Sequence, residues 1–157
     1  MNDAAAPREA RVIRPDLAVI AEMIAPASRV LDVGCGDGAL LDHLGKTKNV
    51  DGRGLEIRQD RVRACVAHGL SVIQGDAETD LRDYPSEAFD YVVLGQTLQA
   101  MRNPREVLLQ LARIGGRTIV SIENYGNWRV RWRLLTSGRM PVQDSARHWY
   151  DTDKIHP

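Results

Sequence analysis

Residues Val30–Gly38 read V-L-D-V-G-C-G-D-G, and the rest of the chain is organised around this stretch. Its apolar first half, interrupted only by Asp32, predicts a buried strand. Its second half places glycines on alternate positions, Gly34, Gly36 and Gly38, and the helical segment Ala39–Gly45 follows. A strand that ends at a glycine turn and leads into a helix is typical of the nucleoside- or phosphate-binding turn of a doubly wound α/β domain.

Short apolar strands alternate with amphipathic helices along the chain. Strands are predicted at Arg29–Val33, Asn49–Glu56, Leu70–Gln74, Phe89–Leu94 and Arg117–Ile122. Helices are predicted from Pro15 to the residues before Pro26, and at Ala39–Gly45, Asp60–His68 and Arg105–Arg113, with Asp80–Ala88 as a loop. The third helix is expected to bury Val62, Val66 and Ala67, and the fourth Val107, Leu108 and Leu111. This alternation predicts an α/β fold with a doubly wound, mostly parallel sheet.

Length, net charge and cysteine content restrict the kind of protein that this chain can be. The chain has 157 residues and a formal net charge of zero, which argues against binding nucleic acid through bulk charge. We expect a flexible N-terminus over residues 1–14 and a single domain over residues 15–157. Residues 1–29 lack a signal-peptide core, no stretch approaches the length of a membrane helix, and the cysteines, Cys35 and Cys65, have no metal-type spacing. The sequence therefore predicts a soluble cytoplasmic protein with reduced thiols, no membrane partner and no nucleic-acid partner.

Three ligand classes compete for the glycine turn. A dinucleotide fingerprint requires G-x-G-x-x-G, but the third glycine here comes one residue early. A Walker A loop requires a lysine followed by serine or threonine, and neither follows the glycines. The third class is S-adenosylmethionine (SAM), and the stretch resembles the first motif of class I SAM-dependent methyltransferases, including the acid within the strand, Asp32.

The resemblance to class I SAM proteins extends along the chain. Glu56 closes the second strand, about 20 residues after the turn, where a carboxylate can accept hydrogen bonds from both ribose hydroxyls. Asp76 ends the third strand, a position that faces the adenine amino group in this family, and Asp32 is expected to accept N–H bonds from the glycine loop. The predicted set for SAM or S-adenosylhomocysteine (SAH) is Asp32, Gly34, Cys35, Gly36, Gly38, Glu56, Ile57, Asp76, Ala77, Gly95 and Gln96. A purely structural glycine turn is the alternative.

No residue receives a catalytic role from the sequence. Methyl transfer from a sulfonium requires mainly the alignment of a nucleophile, so the absence of a catalytic triad excludes nothing. The polar stretch Gly95–Gln99 is expected to line the pocket mouth, and Glu123–Tyr125 could also face an acceptor. The residues His148, Asp151, Asp153 and His156 match no known ligand spacing, so no metal site is predicted.

Residues 124–157 form a segment rich in tryptophan and arginine. On a helix over Asn127–Arg139, Trp128, Trp132 and Leu135 would share one face, beside Arg129 and Arg133. This face either covers the sheet edge or docks a partner, because tryptophan and arginine dominate interface hot spots. Binding to RNA or to an anionic membrane is a third interpretation, which the neutral chain and the lack of a sustained basic stripe disfavour. The candidate docking residues are Trp128, Arg129, Trp132, Arg133, Trp149 and Tyr150.

Several stretches outside the SAM motifs resemble the methionine biosynthesis family MetW. They are Val72–Asp76, Gly95–Pro104, Ser121–Pro141, Trp149–Thr152 and Ile155-His156. The resemblance implies a bacterial, methyltransferase-like protein that acts as an accessory or regulatory partner of homoserine O-acyltransferase (MetX). An active methyltransferase on a small-molecule acceptor is the alternative. Family members continue past the Ile-His segment with a helix and antiparallel strands, so a chain stopping at Pro157 is either naturally short or lacks those final strands.

Overall fold

A computed structural model of the chain describes residues 13–122, together with residues 132, 135 and 136. Strands and helices alternate through this part of the chain, as the sequence pattern predicts. The helices are α1 (Pro15–Met23), α2 (Ala39–Lys48), α3 (Gln59–Ala67) and α4 (Pro104–Ile114). The strands are β1 (Arg29–Val33), β2 (Asp51–Glu56), β3 (Val72–Gln74), β4 (Phe89–Gly95) and β5 (Gly115–Ser121). Short 3-10 turns lie at Asp80–Asp83 and Leu98–Ala100.

The described strands form a five-stranded sheet in the order β3-β2-β1-β4-β5, and each neighbouring pair is parallel. The chain moves outward from β1 through β2 to β3, then crosses to the other side of β1 to form β4 and β5. Strand order therefore reverses between β1 and β4. In open α/β sheets, ligands bind in the crevice outside the carboxyl ends of the strands at this reversal. The glycine turn after β1 lies at that point, and the fold is the doubly wound α/β class that the sequence predicts.

Helices cover both faces of the sheet, and successive residues of the central strands point to opposite faces. One core joins α1 and α2 to the sheet and includes Ile20, Ile24, Val30, Leu40, Leu44 and Val93. The other joins α4 to the sheet and includes Leu31, Val33, Leu55, Val92, Leu94, Leu111 and Ile114. Burial on both faces explains why β1 and β4 read as nearly continuous apolar runs.

Two predicted helix faces differ from the structure. In α3, Cys65 is fully buried, whereas Val66 is 54% exposed and Ala67 is exposed, so the inward face lies one residue earlier than predicted. In α4, Leu108 is 36% exposed, and Ile114 completes the buried stripe with Val107 and Leu111. The stretch predicted as a loop after β3 contains the 3-10 turn that buries Leu81.

Within the described residues, no helix has the length and apolar character needed to cross a bilayer. The predicted flexible N-terminus falls almost wholly outside the described residues. So does the tryptophan/arginine segment, apart from residues 132, 135 and 136.

Candidate functional site

The turn between β1 and α2 is held against β2 by backbone hydrogen bonds. The N–H groups of Gly34 and Cys35 both donate to the Leu55 carbonyl, at 2.7 and 3.3 Å. Gly34 has a φ of +74°, and a Cβ there would lie 2.8 Å from Thr97 Oγ1. Only glycine adopts this backbone and leaves this space without strain. The backbone conformation of the turn is therefore fixed, and the turn lies at the carboxyl end of the sheet.

Glu56, the last residue of β2, is 4% exposed and is oriented by two backbone amides. Its Oε2 accepts a 2.8 Å hydrogen bond from the Gly36 N–H, and its Oε1 accepts a 3.0 Å bond from the Arg58 N–H. Arg61 Nη1 lies 3.9 Å from Oε2. Each carboxylate oxygen can accept a further bond, so the group can receive both hydroxyls of a vicinal diol. A carboxylate at this position also repels a phosphate.

Asp32 is buried in β1 at the base of the turn. Burial, with the nearby carboxylates Glu56 and Asp37, raises its pKa from 3.8 to about 7. The expectation that Asp32 accepts N–H bonds from the glycine loop is wrong: the Gly36 N–H donates to Glu56, and the Gly38 N–H donates to the Cys35 carbonyl at 2.9 Å. Tertiary contact with β2 provides the Gly36 amide with its acceptor, while the Gly38 amide is bonded within the turn. Asp32 is instead a buried carboxyl group, and a cation bound beside it would favour its ionised form.

The predicted cofactor residues converge on a cavity of about 580 Å³. This volume lies in the range of small-molecule and cofactor sites. Of the predicted set, the residues that line the cavity are Asp32, Gly34, Cys35, Gly36, Glu56, Ile57, Asp76, Ala77, Gly95 and Gln96. Gly38 does not line it. It begins α2 with a φ of +74°, and a side chain there would press on Leu70 and Cys65 behind the turn.

The loop after β3 forms one side of the cavity. Asp76 Oδ1 accepts a 3.0 Å hydrogen bond from the Glu78 N–H, and Glu78 Oε1 accepts bonds from the N–H groups of Arg102 and Asn103 at 2.8 and 2.9 Å. The loop is thereby tied to the start of α4. Asp76 and Ala77 face the cavity from this loop, next to Ile57 and Glu56 from the end of β2.

The loop after β4 forms the opposite side. Gln96 has a φ of +53°, and its N–H donates to the Ser121 carbonyl at 3.0 Å. Its Nε2 donates to Asp16 Oδ2 at 3.1 Å, and Asp16 also accepts a 3.0 Å bond from Arg14 Nη2. These contacts connect the β4 loop to the first turn of α1 across the cavity mouth.

Thr97, from the polar stretch expected at the pocket, also lines the cavity, whereas Arg14, Arg58, Arg61 and Met101 line it without having been predicted. Arg58 and Arg61 follow Glu56 within five residues, so their proximity to that carboxylate could have been read from the spacing. Arg14 carries no such signal, because α1 reaches the site only through packing on the sheet. Within the described part of the chain, the titratable groups that line the cavity are carboxyls, guanidiniums and the Cys35 thiol.

Both cysteines belong to a small buried cluster with Leu41 and Val72 behind the glycine turn. Burial raises the pKa of the Cys35 thiol far above its usual value, and the carboxylate of Asp32 adds to the shift. Burial also raises the pKa of Cys65, whose thiol donates to the Gly36 carbonyl at 3.5 Å. Thiols held in the protonated form are poor nucleophiles, so these residues act in packing.

The described part of the tryptophan/arginine segment is helical at residues 132, 135 and 136, where Trp132 is 64% exposed and Leu135 is 80% exposed. Trp128, Arg129, Arg133, Trp149 and Tyr150 lie outside the described residues. The tail residues His148, Asp151, Asp153 and His156 also lie outside the described residues. Within residues 13–122 and the described helical positions, no group of three or more His, Cys, Asp or Glu side chains could hold a metal ion.

The sequence model of the family described as methionine biosynthesis protein MetW matches residues 14–157. The chain belongs to the MetW family. It is 35% identical over 130 residues to the bifunctional methionine biosynthesis protein MetXA/MetW of Rhodopirellula baltica, across 78% of this chain and 21% of that protein. It is 31% identical over 143 residues to an uncharacterised methyltransferase of Schizosaccharomyces pombe, across 81% of this chain and 54% of that protein.

The fold of this MetW-family chain matches that of solved methyltransferases. A SAM-dependent methyltransferase from Archaeoglobus fulgidus superposes with a TM-score of 0.63 at 22% identity, across 83% of this chain and 61% of that one. At this identity the likeness concerns the fold alone. The chain spans about a fifth of the length of the Rhodopirellula baltica relative and about half of the length of the Schizosaccharomyces pombe relative.

Proposed function

We propose that this chain binds SAM or SAH in the cavity at the carboxyl ends of β1, β2 and β4, and that it serves as an accessory subunit of a homoserine O-acyltransferase (MetX). The observation that carries the ligand is Glu56. It is buried, oriented by the Gly36 and Arg58 amides, and open to two further hydrogen bonds at a cavity of nucleoside size. This arrangement suits a ribose with free hydroxyls and disfavours one that bears a phosphate.

The two ends of the cavity suit the two halves of the ligand. On the β2–β3 side, Glu56 would bind the ribose, while Ile57 and Ala77 offer apolar contact to adenine beside the carboxylate of Asp76. On the β1–β4 side, Asp32 would face the positively charged methionine end. Gly34 allows the ligand to approach the backbone closely, since its missing side chain leaves space beside Thr97.

Calorimetry with SAM and with SAH tests the ligand. Glu56→Ala removes both carboxylate oxygens that would accept the ribose hydroxyls. A hydrogen bond from a neutral donor to a charged group contributes about 1.5–3 kcal/mol to binding, so we expect at least a tenfold loss of affinity. Asp60→Asn is the matched control, because Asp60 is an exposed carboxylate that pairs with Arg58 just outside the cavity. Absence of binding heat from the unaltered chain with both ligands would refute the proposal.

The support for the acyltransferase partner is the fused relative. In Rhodopirellula baltica a MetW-like region and a MetXA region share one polypeptide, as the name of that protein states. Fusion fixes two domains at high effective concentration, and domains that benefit from this arrangement are candidates for association as separate chains. We propose that the tryptophan/arginine segment carries the contact, since Trp132 and Leu135 are strongly exposed apolar residues one helical turn apart.

Co-purification with the homoserine O-acyltransferase of the same organism tests the partnership. Trp132→Ala should reduce recovery of the complex at least tenfold, because interface tryptophans often contribute 2 kcal/mol or more. Leu109→Ala is the matched control, since Leu109 is 53% exposed on α4 and is not part of the tryptophan/arginine segment. If no complex forms with the unaltered chain at any ligand concentration, the accessory role is wrong.

Ligand sensing is a separable part of this proposal. SAM lies downstream of methionine, so its binding would couple pathway output to the acyltransferase. The Glu56→Ala variant, which is expected to bind SAM poorly, should still form the complex but lose any effect of SAM on acyltransferase activity. An equal SAM effect in both forms would exclude sensing through this cavity.

Methyl transfer to a small molecule is the second candidate function. It is favoured by the methyltransferase fold and by the polar residues Gln96 and Thr97 in the cavity lining, beside which an acceptor would approach the methyl group. Alignment of an acceptor within near-attack distance is the main requirement of this reaction. Transfer of radiolabelled methyl from SAM into a cell extract, lost in Glu56→Ala, would support this function.

A further inference from the structure

The methionine end of SAM carries an ammonium and a carboxylate, and the two need opposite partners. Asp32 is the buried carboxyl on the β1 side of the cavity and provides a partner for the cationic groups. The carboxylate needs a cation at the same end. Among the residues that the structure describes, three cationic side chains line the cavity: Arg14, Arg58 and Arg61.

Two of these arginines lie at the nucleoside end. Arg58 follows β2 and makes a bidentate pair with Asp60, through Nε at 3.1 Å and Nη2 at 2.8 Å. Arg61 lies beside Glu56, with its Nη1 3.9 Å from Oε2, and 3.7 Å from the position of a Cβ on Gly36. Both guanidiniums are thus held on the ribose side of the turn.

Arg14 lies at the other end. Its Nη2 donates to Asp16 Oδ2 at 3.0 Å, and the same oxygen accepts the 3.1 Å bond from Gln96 Nε2. Gln96 is fixed in turn, because its backbone N–H is bonded to the Ser121 carbonyl and its φ is +53°. The Asp16–Gln96 contact therefore places the guanidinium above the β4 side of the cavity. Its side chain is 53% exposed, so N–H donors besides the one on Asp16 can reach a ligand.

We propose that Arg14 binds the α-carboxylate of the amino-acid end of SAM or SAH, with Asp16 and Gln96 as positioning residues. This inference rests on the proposed ligand. An arginine fork matches a carboxylate with two parallel hydrogen bonds, and its fixed charge compensates both the ligand carboxylate and Asp16. Asp32 and Arg14 would then recognise the ammonium and the carboxylate separately. That arrangement distinguishes SAM and SAH from nucleosides that lack an amino-acid group.

The test compares SAH with its decarboxylated analogue, which keeps the terminal ammonium and lacks only the carboxylate. Affinities are measured by calorimetry at pH 8, where Asp32 is mostly ionised in the folded chain. The unaltered chain should bind SAH roughly ten- to hundredfold more tightly than the analogue, the range expected for a charge-assisted bidentate contact. Arg14→Met should reduce this ratio to about one through loss of SAH affinity alone, and Arg14→Lys should restore part of it.

Arg58→Met is the matched control, because it removes one exposed positive charge from the cavity lining at the nucleoside end and keeps the backbone amide that orients Glu56. It should leave the ratio of the two affinities nearly unchanged, because the Arg58 guanidinium is held by Asp60 at the nucleoside end and does not reach the ligand carboxylate. A purely long-range effect of losing a cation would instead lower the ratio in both variants. The role of Arg14 is wrong if the ratio of SAH affinity to analogue affinity is unchanged in Arg14→Met, or if it falls equally in Arg58→Met. Neither result affects the proposal that the unaltered chain binds SAH. Failure of the unaltered chain to bind SAH overturns the proposed ligand and this inference together.

Discussion

Asp32→Asn should stabilise the ligand-free protein, and by more at high pH than at low pH. The pKa of Asp32 rises from 3.8 to about 7 on folding, chiefly through burial and then through the charges of Glu56 and Asp37. Between about pH 4 and pH 7 the folded chain keeps a proton that the unfolded chain has lost, so this carboxyl lowers stability progressively across that range and by a constant amount above it. Asparagine has nearly the same shape and cannot ionise, so it removes the effect.

The magnitude follows from the two pKa values. The cost of Asp32 to the free energy of unfolding is about 2 kcal/mol at pH 5.5 and about 4 kcal/mol at pH 8.5. The free energy of unfolding of Asp32→Asn minus that of the unaltered chain should therefore grow by about 2 kcal/mol between these pH values. Urea unfolding without ligand at both pH values measures this difference, and the pH dependence of all other groups largely cancels. A difference that stays constant or shrinks as the pH rises would show that Asp32 is already ionised in the folded protein at pH 5.5.

Two further predictions concern the same turn. Affinity for SAM should rise by up to about 30-fold from pH 5.5 to pH 8 in the unaltered chain, because the ionised fraction of Asp32 rises from about 3% to about 90% and the sulfonium and ammonium favour the ionised form. Calorimetry on Asp32→Asn should show a much smaller rise, and equal pH profiles would contradict the role of Asp32. Gly34→Ala should cost at least 1–2 kcal/mol in urea unfolding and weaken SAM binding, since it places a Cβ 2.8 Å from Thr97 Oγ1 at a φ of +74°. Gly45→Ala, inside α2 with no atom within 4 Å of the new Cβ, should instead stabilise by about 0.5–1 kcal/mol; equal effects of the two substitutions would refute the strain argument.

The order and type of the elements followed from the sequence, but the faces of two helices did not. Hydrophobic periodicity located α3 to within a residue, yet it favoured Val66 over Cys65 as the inward residue because valine is the more apolar of the two. Packing reverses this choice, since the space behind the glycine turn is small and Cys65 fits it beside Leu41 and Val72. In α4 the prediction ended the helix at Arg113 and placed Leu108 in the buried stripe. The structure extends the helix to Ile114, which is buried on the sheet, while Leu108 is 36% exposed.

The sequence by itself determined the strand–turn–helix at Val30–Gly38 and the acid at Glu56, and with them the class of ligand that we propose. These signals are local, because a positive φ favours glycine and a strand end places its last side chain at the edge of the sheet. Only the tertiary structure decided what surrounds these residues. The Glu56 carboxylate accepts a hydrogen bond from the Gly36 N–H, and Asp32 is buried with a raised pKa. Asp16 accepts a hydrogen bond from Gln96, which lies 80 positions later in the chain. Burial and hydrogen-bond partners arise from segments distant in sequence, so no local pattern could have assigned them.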